Sequence, residues 1–362
     1  MNMNTRTQDK PAAEIAASAD PGADAAATAE FKYSLDGGDS YSSAIAVPVG
    51  GTYVIPNTGV TIVFSNGAGP TSFKVGDVHS FDCVAPGFST TDANNAFDAL
   101  RTTYASARFG FVHLVGAASS VAGAATMAAA VDVKMTAEAN VYRYIFTVLE
   151  CPEDTDSNII AGFTSFVSSR VGVAAGFCEL AANGRTMKRN AAWPLVARIS
   201  RQDIRRDLAR TNPDGEGGPL PGVTKLYRDE FVTEALDNAR FMTLRTYAGQ
   251  NGFWPTNGRT MAAAGSDYTF LQFRRLMDRA CTVNYDGLFP FLNDDIFRVD
   301  EAGLILEEDA RALQTRNNSR LTADLTARDR VTSTSVIVQR DTNILSTQRL
   351  RTKVRIVPKG YA

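Results

Sequence analysis

The chain has 362 residues, of which 44% are hydrophobic and 21% charged, and its formal net charge is -2. This composition is typical of a globular protein long enough for two or more cores, and the near-neutral charge excludes a general nucleic-acid binder. The four cysteines lie too far apart for a zinc site or a disulfide framework. They favour free thiols in a protein made in a reducing cytoplasm.

Residues 1–29 are rich in Ala and Asp and contain two prolines. Such a segment buries too little apolar area to offset the entropy lost on ordering, so we predict a flexible tail. Acidic residues interrupt it before the apolar core of a signal peptide could form. The later apolar run at Gly116–Ala130 is too short and too rich in Ala and Gly to span a bilayer. We therefore expect no direct membrane insertion.

Residues 30–88 contain short apolar runs separated by Gly, Asn, Asp and Pro, which is the pattern of strands joined by turns. Val60, Ile62 and Phe64 are two residues apart and would share one face of a strand. This spacing predicts a small β-rich module with its own core.

From residue 89 onward, helical and strand patterns alternate. We predict helices over 90–107, 119–139, 156–170 and 193–210, and strands over 109–115, 141–150 and 171–180. A further long helix is predicted within 300–326, followed by strands over 331–340 and 349–358. Alternation of this kind predicts an α/β fold with a mostly parallel sheet covered by helices. Residues 89–362 would form this domain and end in a β-hairpin over 331–358.

The segment Tyr247–Asp295 contains an aromatic turn and then a strongly amphipathic helix. Ser266 or Asp267 is a suitable N-cap for this helix. One face is apolar and carries Phe270, Phe273, Leu276, Met277, Ala280 and Cys281. The opposite face carries Gln272, Arg275 and Arg279. Taken alone, that polar face fits either an ordinary solvated surface or a contact with an acidic partner.

The same segment resembles the C-terminal domain of contractile-tail sheath proteins of phages, tailocins and injection systems. The matching positions are Asn257-Gly258-Arg259, Gly265-Ser266-Asp267-Tyr268, Arg275 and Met277-Asp278. Further matches are Gly76-Asp77 with Phe81, Ala85-Pro86, and the last strand Val354–Pro358. The resemblance implies a structural, non-enzymatic subunit that polymerises as stacked rings around an inner tube and contracts. It implies assembly in the bacterial cytoplasm into a virion tail or a released contractile particle.

The resemblance also implies partners and contact residues. The partners would be further copies of the chain, an inner tube protein, and baseplate and tail terminator proteins, without direct nucleic-acid contact and without a cofactor. Gln272, Arg275 and Arg279 would face the tube, and residues 30–88 would lie at the periphery. The hairpin would dock neighbouring subunits through Val336, Ile337, Val338, Val354, Arg355, Ile356 and Val357. Sheath proteins usually have strand-forming arms at both ends, which link neighbouring subunits. Here an Ala/Asp tail and a stop at Ala362 stand in their place, which fits a shortened member, an unusual member or an incomplete sequence.

The competing hypothesis is an α/β hydrolase-like or small-molecule-binding enzyme with its ligand at the carboxyl edge of the sheet. The sequence has no phosphate-binding loop, dinucleotide fingerprint or HExxH motif. His113 lies within an apolar strand, and Asp294-Asp295 fits a turn better than a metal site. Arginines between residues 198 and 210 alternate with Asp203 and Asp207, which favours ion pairs along a helix over phosphate binding. We therefore predict no enzymatic activity and no metal.

Overall fold

The computed structural model describes residues 13–17 (backbone only), 29–36, 38–65, 75–81, 88–103, 107–116, 118–182, 184–292 and 297–360. The chain divides into two compact units. The first consists of Met1–Pro86 with Ala181–Lys188, and the second of Gly87–Leu180 with Arg189–Ala362.

The first unit contains a four-stranded antiparallel sheet in the order β3-β2-β1-β6. Its strands are β1 (Ala13–Ala17), β2 (Glu30–Ser34), β3 (Ile45–Ala46) and β6 (Val78–Phe81). A separate hairpin joins β4 (Thr52–Val54) to β5 (Thr61–Val63). Phe31, Ile55 and Ile62 lie in the core of this unit. Ile62 is buried between exposed Thr61 and Val63, as the period-2 pattern predicts.

Strand β1 differs from the flexible tail predicted for residues 1–29. Its backbone pairs with β2 on one side and β6 on the other, so both of its edges contribute hydrogen bonds. Pairing on two sides can order a segment whose side chains contribute little apolar burial. Residues 1–12 and 18–28 of the predicted tail lie outside the described residues.

The second unit is built on a parallel sheet of β7 (Phe111–Leu114), β8 (Phe146–Glu150) and β9 (Val171–Ala174). One face packs against α1 (Thr90–Thr103), α2 (Val121–Asn140) and α3 (Asp156–Phe163). The opposite face, which carries Phe146 and Val148, packs against α4 (Ala192–Arg201) and Leu271. Adjacent strand residues point to opposite faces, so both faces of β8 are buried.

Shorter elements follow the parallel sheet. They are β10 (Phe177–Ala182), β11 (Arg185–Asn190), β12 (Val223–Leu226), α5 (Ala235–Asn238), β13 (Leu244–Arg245) and β14 (Trp254–Pro255). The C-terminal part consists of α6 (Leu271–Leu288), a 3₁₀ turn (Phe289–Phe291), α7 (Glu307–Leu321), a π-helical turn (Thr322–Thr326), β15 (Val331–Gln339), α8 (Ile344–Thr347) and β16 (Arg351–Pro358). Strands β15 and β16 form an antiparallel hairpin that packs against α6 and α7.

The mixed α/β class is therefore confirmed, although fewer strands are parallel than predicted. Within the described residues, named strands pair in parallel only in the β7-β8-β9 sheet, and the other sheets are antiparallel. The predicted strand over 171–180 is interrupted because Gly176 has a φ of 86°, a turn conformation that separates β9 from β10.

The helix predicted over 193–210 ends at Arg201. The carboxylates of Asp203 and Asp207 accept hydrogen bonds from the backbone N–H groups two residues ahead, at Arg205 and Ala209. These side-chain turns compete with the helical hydrogen bonds and stop the helix. The predicted intrahelical pairs are thus replaced by contacts with distant segments, such as Arg205 with Asp329 at 2.7 Å.

Candidate functional site

The Asn257-Gly258-Arg259 turn is held by a buried aspartate from α5. Asn257 Nδ2 donates to Asp237 Oδ2 at 2.8 Å, and Arg259 Nη2 lies 3.2 Å from the same oxygen. The guanidinium also lies 4.7 Å from the centre of the Phe270 ring. The turn is therefore a polar junction that ties α5 to the segment leading into α6.

The start of α6 differs from the predicted N-cap at Ser266 or Asp267. The helix begins at Leu271, and Phe270 occupies the N-cap position without a side-chain cap. The Leu271 N–H donates instead to the Gly258 carbonyl at 2.7 Å, so the preceding turn satisfies this donor. Ser266 accepts from the Tyr268 N–H at 3.2 Å and stabilises the turn before the helix.

Helix α6 is enclosed on almost every side. Leu276 and Ala280 are fully buried, as the amphipathic pattern predicts. Polar residues from outside the predicted apolar face are also buried, however, and Arg279 is the one exposed residue in Leu271–Leu288. The polar side chains of this helix must therefore find partners within the protein.

The three tube-facing candidates have different environments. Gln272 is only 2% exposed and donates to Asp207 Oδ2 at 3.0 Å, which corrects its expected position on an open surface. Arg275 donates to the carbonyls of Ile199 and Gln202, both at 3.1 Å. Burial lowers the pKa of Arg275 to about 10. These two side chains fasten α6 to the end of α4 and the loop after it.

Arg279 is the candidate that remains at the surface. Its guanidinium forms two hydrogen bonds with Asp324, at 2.7 and 2.8 Å. This pairing raises the pKa of Arg279, and the negative charge of Asp324 partly balances the positive charge of the guanidinium. No tube protein is present, so the contact of these three residues with a tube stays a prediction.

A buried ion network accounts for Asp278 of the Met277-Asp278 pair. Asp278 Oδ1 accepts from Arg274 at 2.6 Å and from Arg170, at the start of β9, at 3.2 Å. Arg170 also donates to the Ile145 carbonyl at 3.0 Å, and Arg274 lies 4.4 Å from the Tyr268 ring centre. This network was not predicted from the sequence. The i,i+4 spacing of Arg274 and Asp278 was the available signal.

A cleft of about 620 Å³ opens between α6, α4 and the amino ends of β7 and β8. Aromatic side chains form much of its wall: Phe109, Phe111, Tyr142, Tyr144, Phe146 and Tyr285. Arg275 and Asp278 contribute polar groups, and burial raises the pKa of Tyr144 to about 12. We call this feature the aromatic-arginine cleft.

The C-terminal hairpin has one face toward the core. Val336 and Val338 are 3% and 5% exposed, and Val354 and Ile356 pack against the cluster formed with Leu276. Three of the predicted docking residues instead point outward: Ile337, Arg355 and Val357. The apolar side chains predicted as one docking surface are thus divided between core and surface.

The two outer edges of the hairpin differ in whether their backbone N–H groups have partners. On β15, the N–H of Val336 donates to Asn318 at 2.6 Å and that of Val338 to Gln314 at 2.8 Å, so α7 side chains cover this edge. Val336 is opposite Val354, and the two strands are antiparallel. Because donors alternate in direction along a strand, the N–H groups of Thr352, Val354 and Ile356 point away from β15. Within the described residues β16 pairs with β15 alone, so this edge is open.

His113, a candidate for the chemistry of the alternative enzyme, has a glutamate beside it. His113 Nε2 lies 3.1 Å from Glu150 Oε1, with both side chains largely buried. Across the described residues, no group of three or more His, Cys, Asp or Glu side chains could hold a metal ion; Asp294-Asp295 lies outside them. Cys151 and Cys178 are buried free thiols, while Cys83 lies outside the described part. No helix in that part is long and apolar enough to cross a membrane.

The fold is similar to that of a sheath protein in a solved contractile structure. The structure described as the anti-feeding prophage (AFP) helical sheath in the contracted state matches with a TM-score of 0.50 and 15% identity, over 77% of this chain and 74% of that chain. The AFP baseplate, 6-fold symmetrised, matches with a TM-score of 0.49 and 15% identity, over 78% of this chain and 74% of that chain. The PVC sheath complex of an extracellular contractile injection system, in the contracted state, matches with a TM-score of 0.47 and 13% identity, over 73% of this chain and 72% of that chain.

The AFP sheath match confirms the predicted sheath resemblance at the level of the fold. A family model described as DUF2586, N-terminal domain, matches residues 12–259, which is more than half of the chain. The chain therefore belongs to the DUF2586 family. The comparison with curated proteins found no match.

Proposed function

We propose that this protein is the structural subunit of a contractile sheath. Such a subunit polymerises as helically stacked rings around an inner tube and contracts to drive the tube through a target envelope. The observation that carries the proposal is the sheath-like fold, shared with the AFP helical sheath at a TM-score of 0.50. The assembled particle would be a virion tail or a released contractile particle, with baseplate, tube and tail terminator proteins as partners.

The open edge of β16 supports this proposal because an unpaired strand edge can pair with another chain. The outward N–H groups of Thr352, Val354 and Ile356 would supply the donors, while Arg355 and Val357 would contact the neighbouring subunit with their exposed side chains. Val336 and Val338 would support this surface from the core side, and Ile337 would extend it.

A pair of variants at one position tests the strand edge. Ile356→Pro removes an outward N–H together with the isoleucine side chain, whereas Ile356→Ala removes the side chain and keeps the N–H. We expect both variants to yield folded monomers of similar thermal stability, and only Ile356→Pro to lose the cylinders seen by electron microscopy. Normal cylinders from Ile356→Pro would show that β16 is not an inter-subunit strand. A wild-type protein that stays monomeric with its tube partner would contradict the sheath proposal itself.

The β-rich module of residues 30–88 is proposed to be peripheral to the assembly. It has a core of its own around Phe31, Ile55 and Ile62, which supports folding independent of the second unit. We expect a protein lacking residues 1–86 to form cylinders of normal length that are narrower in electron micrographs. Loss of assembly while the remaining unit stays folded would contradict this assignment.

A further inference from the structure

The aromatic-arginine cleft carries more positive than negative charge. Three arginines at the cleft each have a carboxylate partner: Arg108 with Asp286, Arg143 with Glu138, and Arg279 with Asp324. Asp278 is shared by Arg170 and Arg274. Arg275 bonds to backbone carbonyls, and no carboxylate of the described residues forms an ion pair with it. A partly buried site of this kind favours an occupant that combines apolar surface with negative charge.

The rim of the cleft contains a strained residue. Tyr142 follows α2 with a φ of 63°, a left-handed conformation that costs a non-glycine residue about 1–2 kcal/mol. The residue is 56% exposed, and its ring stacks on that of Tyr285 with 4.7 Å between ring centres. Glycine would occupy this backbone position without strain. The exposed ring extends the aromatic wall of the cleft outward at its rim.

A matching surface lies on the loop between β12 and α5. Phe231 and Val232, which we call the apolar knob, are 53% and 78% exposed. Glu234 follows two residues later; its carboxylate lies 3.4 Å from Arg245 Nη1, and its side chain is still 60% exposed. The knob therefore combines two apolar side chains with a nearby carboxylate. This is the chemistry that the cleft favours.

The knob is presented on a rigid loop. Asp229 accepts hydrogen bonds from the N–H groups of Phe231 and Thr246, both at 2.9 Å. The adjacent Glu230 is fully buried and pairs with Arg228, which also forms two hydrogen bonds with Asp156 at 2.6 and 2.7 Å. Because these anchors fix the loop, little conformational entropy is lost when the knob binds a partner.

The cleft lies at the amino ends of the strands of the parallel sheet, and the knob lies at their carboxyl ends. The cleft includes Phe111 and Phe146, the first residues of β7 and β8. The knob loop is tied to Phe177 and Asp156, which follow the carboxyl ends of β9 and β8. One subunit therefore cannot place its own knob in its own cleft, but successive subunits can connect head to tail. Such heterologous contacts build closed rings or open helical polymers, depending on whether the rotation between subunits closes.

We propose that the apolar knob of one subunit inserts into the aromatic-arginine cleft of a second copy of the chain. This inference rests on the proposed function, because it supplies a contact between subunits of the polymer. Phe231 and Val232 would lie against the aromatic wall, and the Glu234 carboxylate would face Arg275.

Photo-crosslinking in the assembled wild-type background tests the contact directly. A photoreactive phenylalanine analogue at position 231 should form crosslinks between subunits, and peptide mapping should place them within residues 141–146 or 275–285. Crosslinks that map elsewhere, or a polymer without crosslinks, would overturn the proposal.

Surface variants provide a second test. Phe231→Ser with Val232→Ser should raise the concentration needed for half-maximal sedimentation of the polymer by at least about tenfold, since two apolar side chains leave the interface. Tyr142→Gly should also weaken assembly while leaving monomer stability unchanged or higher. Val133→Ser is the matched control, because Val133 is 67% exposed on α2 outside the knob and the cleft. It should leave assembly unchanged.

The outcomes separate this contact from the sheath proposal. If the wild-type chain forms cylinders and the knob variants assemble equally well, the contact is wrong and the sheath proposal stands. If the wild-type chain forms no polymer with its tube partner, both are wrong.

Discussion

Arg274 and Asp278 form an ion pair across one turn of α6, with 2.6 Å between Nη2 and Oδ1, and the two residues are 5% and 6% exposed. The same i,i+4 geometry occurs at the surface of α7, where Glu307 and Arg311 are 2.5 Å apart with side chains more than half exposed. The two pairs have the same spacing and nearly equal N–O distances, with the acid and the base in opposite order along the helix. Burial and the second partner, Arg170, set the Arg274–Asp278 pair apart.

The buried pair should therefore contribute far more to stability than the exposed pair. We expect Asp278→Asn to lower the free energy of unfolding by about 3–5 kcal/mol, because Arg170 and Arg274 lose their shared counter-ion. Glu307→Gln should change it by at most about 0.5 kcal/mol. Urea unfolding of both variants measures the difference, and equal effects would contradict the assigned role of burial.

Gly287 should be required for the packing of α6 on α7. A Cβ at this position would collide with the Asn317 side chain, which is 1% exposed and donates to Asn284 at 2.9 Å. Alanine favours a helix by about 1 kcal/mol over glycine, but overpacking costs about 1–3 kcal/mol. We expect Gly287→Ala to be destabilising overall in thermal unfolding.

Gly110→Ala is the matched control for Gly287→Ala, since nothing lies within 4 Å of a Cβ built at Gly110. It should leave stability unchanged or raise it slightly by restricting the unfolded chain. A stabilising Gly287→Ala would show that the two helices can separate without loss of contacts.

Arg275 and Arg279 should respond differently to charge reversal. Arg275→Glu would direct a carboxylate at the Ile199 and Gln202 carbonyls, so we expect a loss of several kcal/mol or failure to fold. Arg279→Glu removes a partly exposed pair and should cost about 1 kcal/mol, with some added repulsion from Asp324.

Arg279→Glu also tests the predicted contact with the inner tube. If α6 faces an acidic tube, Arg279→Glu should weaken co-sedimentation with the tube at low salt more than it lowers the melting temperature. Unchanged co-sedimentation would contradict a tube contact through Arg279.

The Arg279–Asp324 pair should make stability depend on pH. The hydrogen bonds from Arg279 lower the pKa of Asp324 against the opposing effect of burial. A carboxylate whose folded pKa is depressed stabilises the protein above its unfolded pKa of about 3.9, and this stabilisation is lost as pH falls through the folded value. The difference in unfolding free energy between wild type and Arg279→Gln should therefore be largest near neutral pH and shrink in acid. A difference that stays constant would contradict this linkage.

The buried cysteines should react slowly with thiol reagents. Burial raises the pKa of Cys151 and of Cys178 to about 12, and that of Cys281 to about 11. The thiolate is the reactive form, so we expect little alkylation of these three in the folded protein near pH 8 and rapid alkylation in urea. Mass spectrometry of the labelled peptides distinguishes the sites. Fast labelling of Cys151 or Cys178 without denaturant would contradict their burial.

Much of the local structure follows from the sequence pattern. The helix predicted over 119–139 is observed over Val121–Asn140, because Ser120 supplies a side-chain cap at its start. The predicted strands over 331–340 and 349–358 are observed over Val331–Gln339 and Arg351–Pro358. Caps, turn residues and hydrophobic periodicity act over a few residues, so these features can be recognised without the fold.

The environment of each polar side chain was decided by the tertiary structure. Periodicity correctly placed Leu276 and Ala280 toward the core, but it could not show that neighbours also cover the opposite face of α6. Gln272 meets its partner Asp207 from a loop 65 residues earlier in the chain. Asp278 meets Arg170, which directly precedes β9 and is 108 residues away. The sequence pattern was enough to predict the main helices and strands from residue 89 onward and the apolar face of α6, but not strand β1 or the end of α4. The fold alone decided the rest, because burial on the other faces depends on segments that chain entropy keeps apart until the core forms.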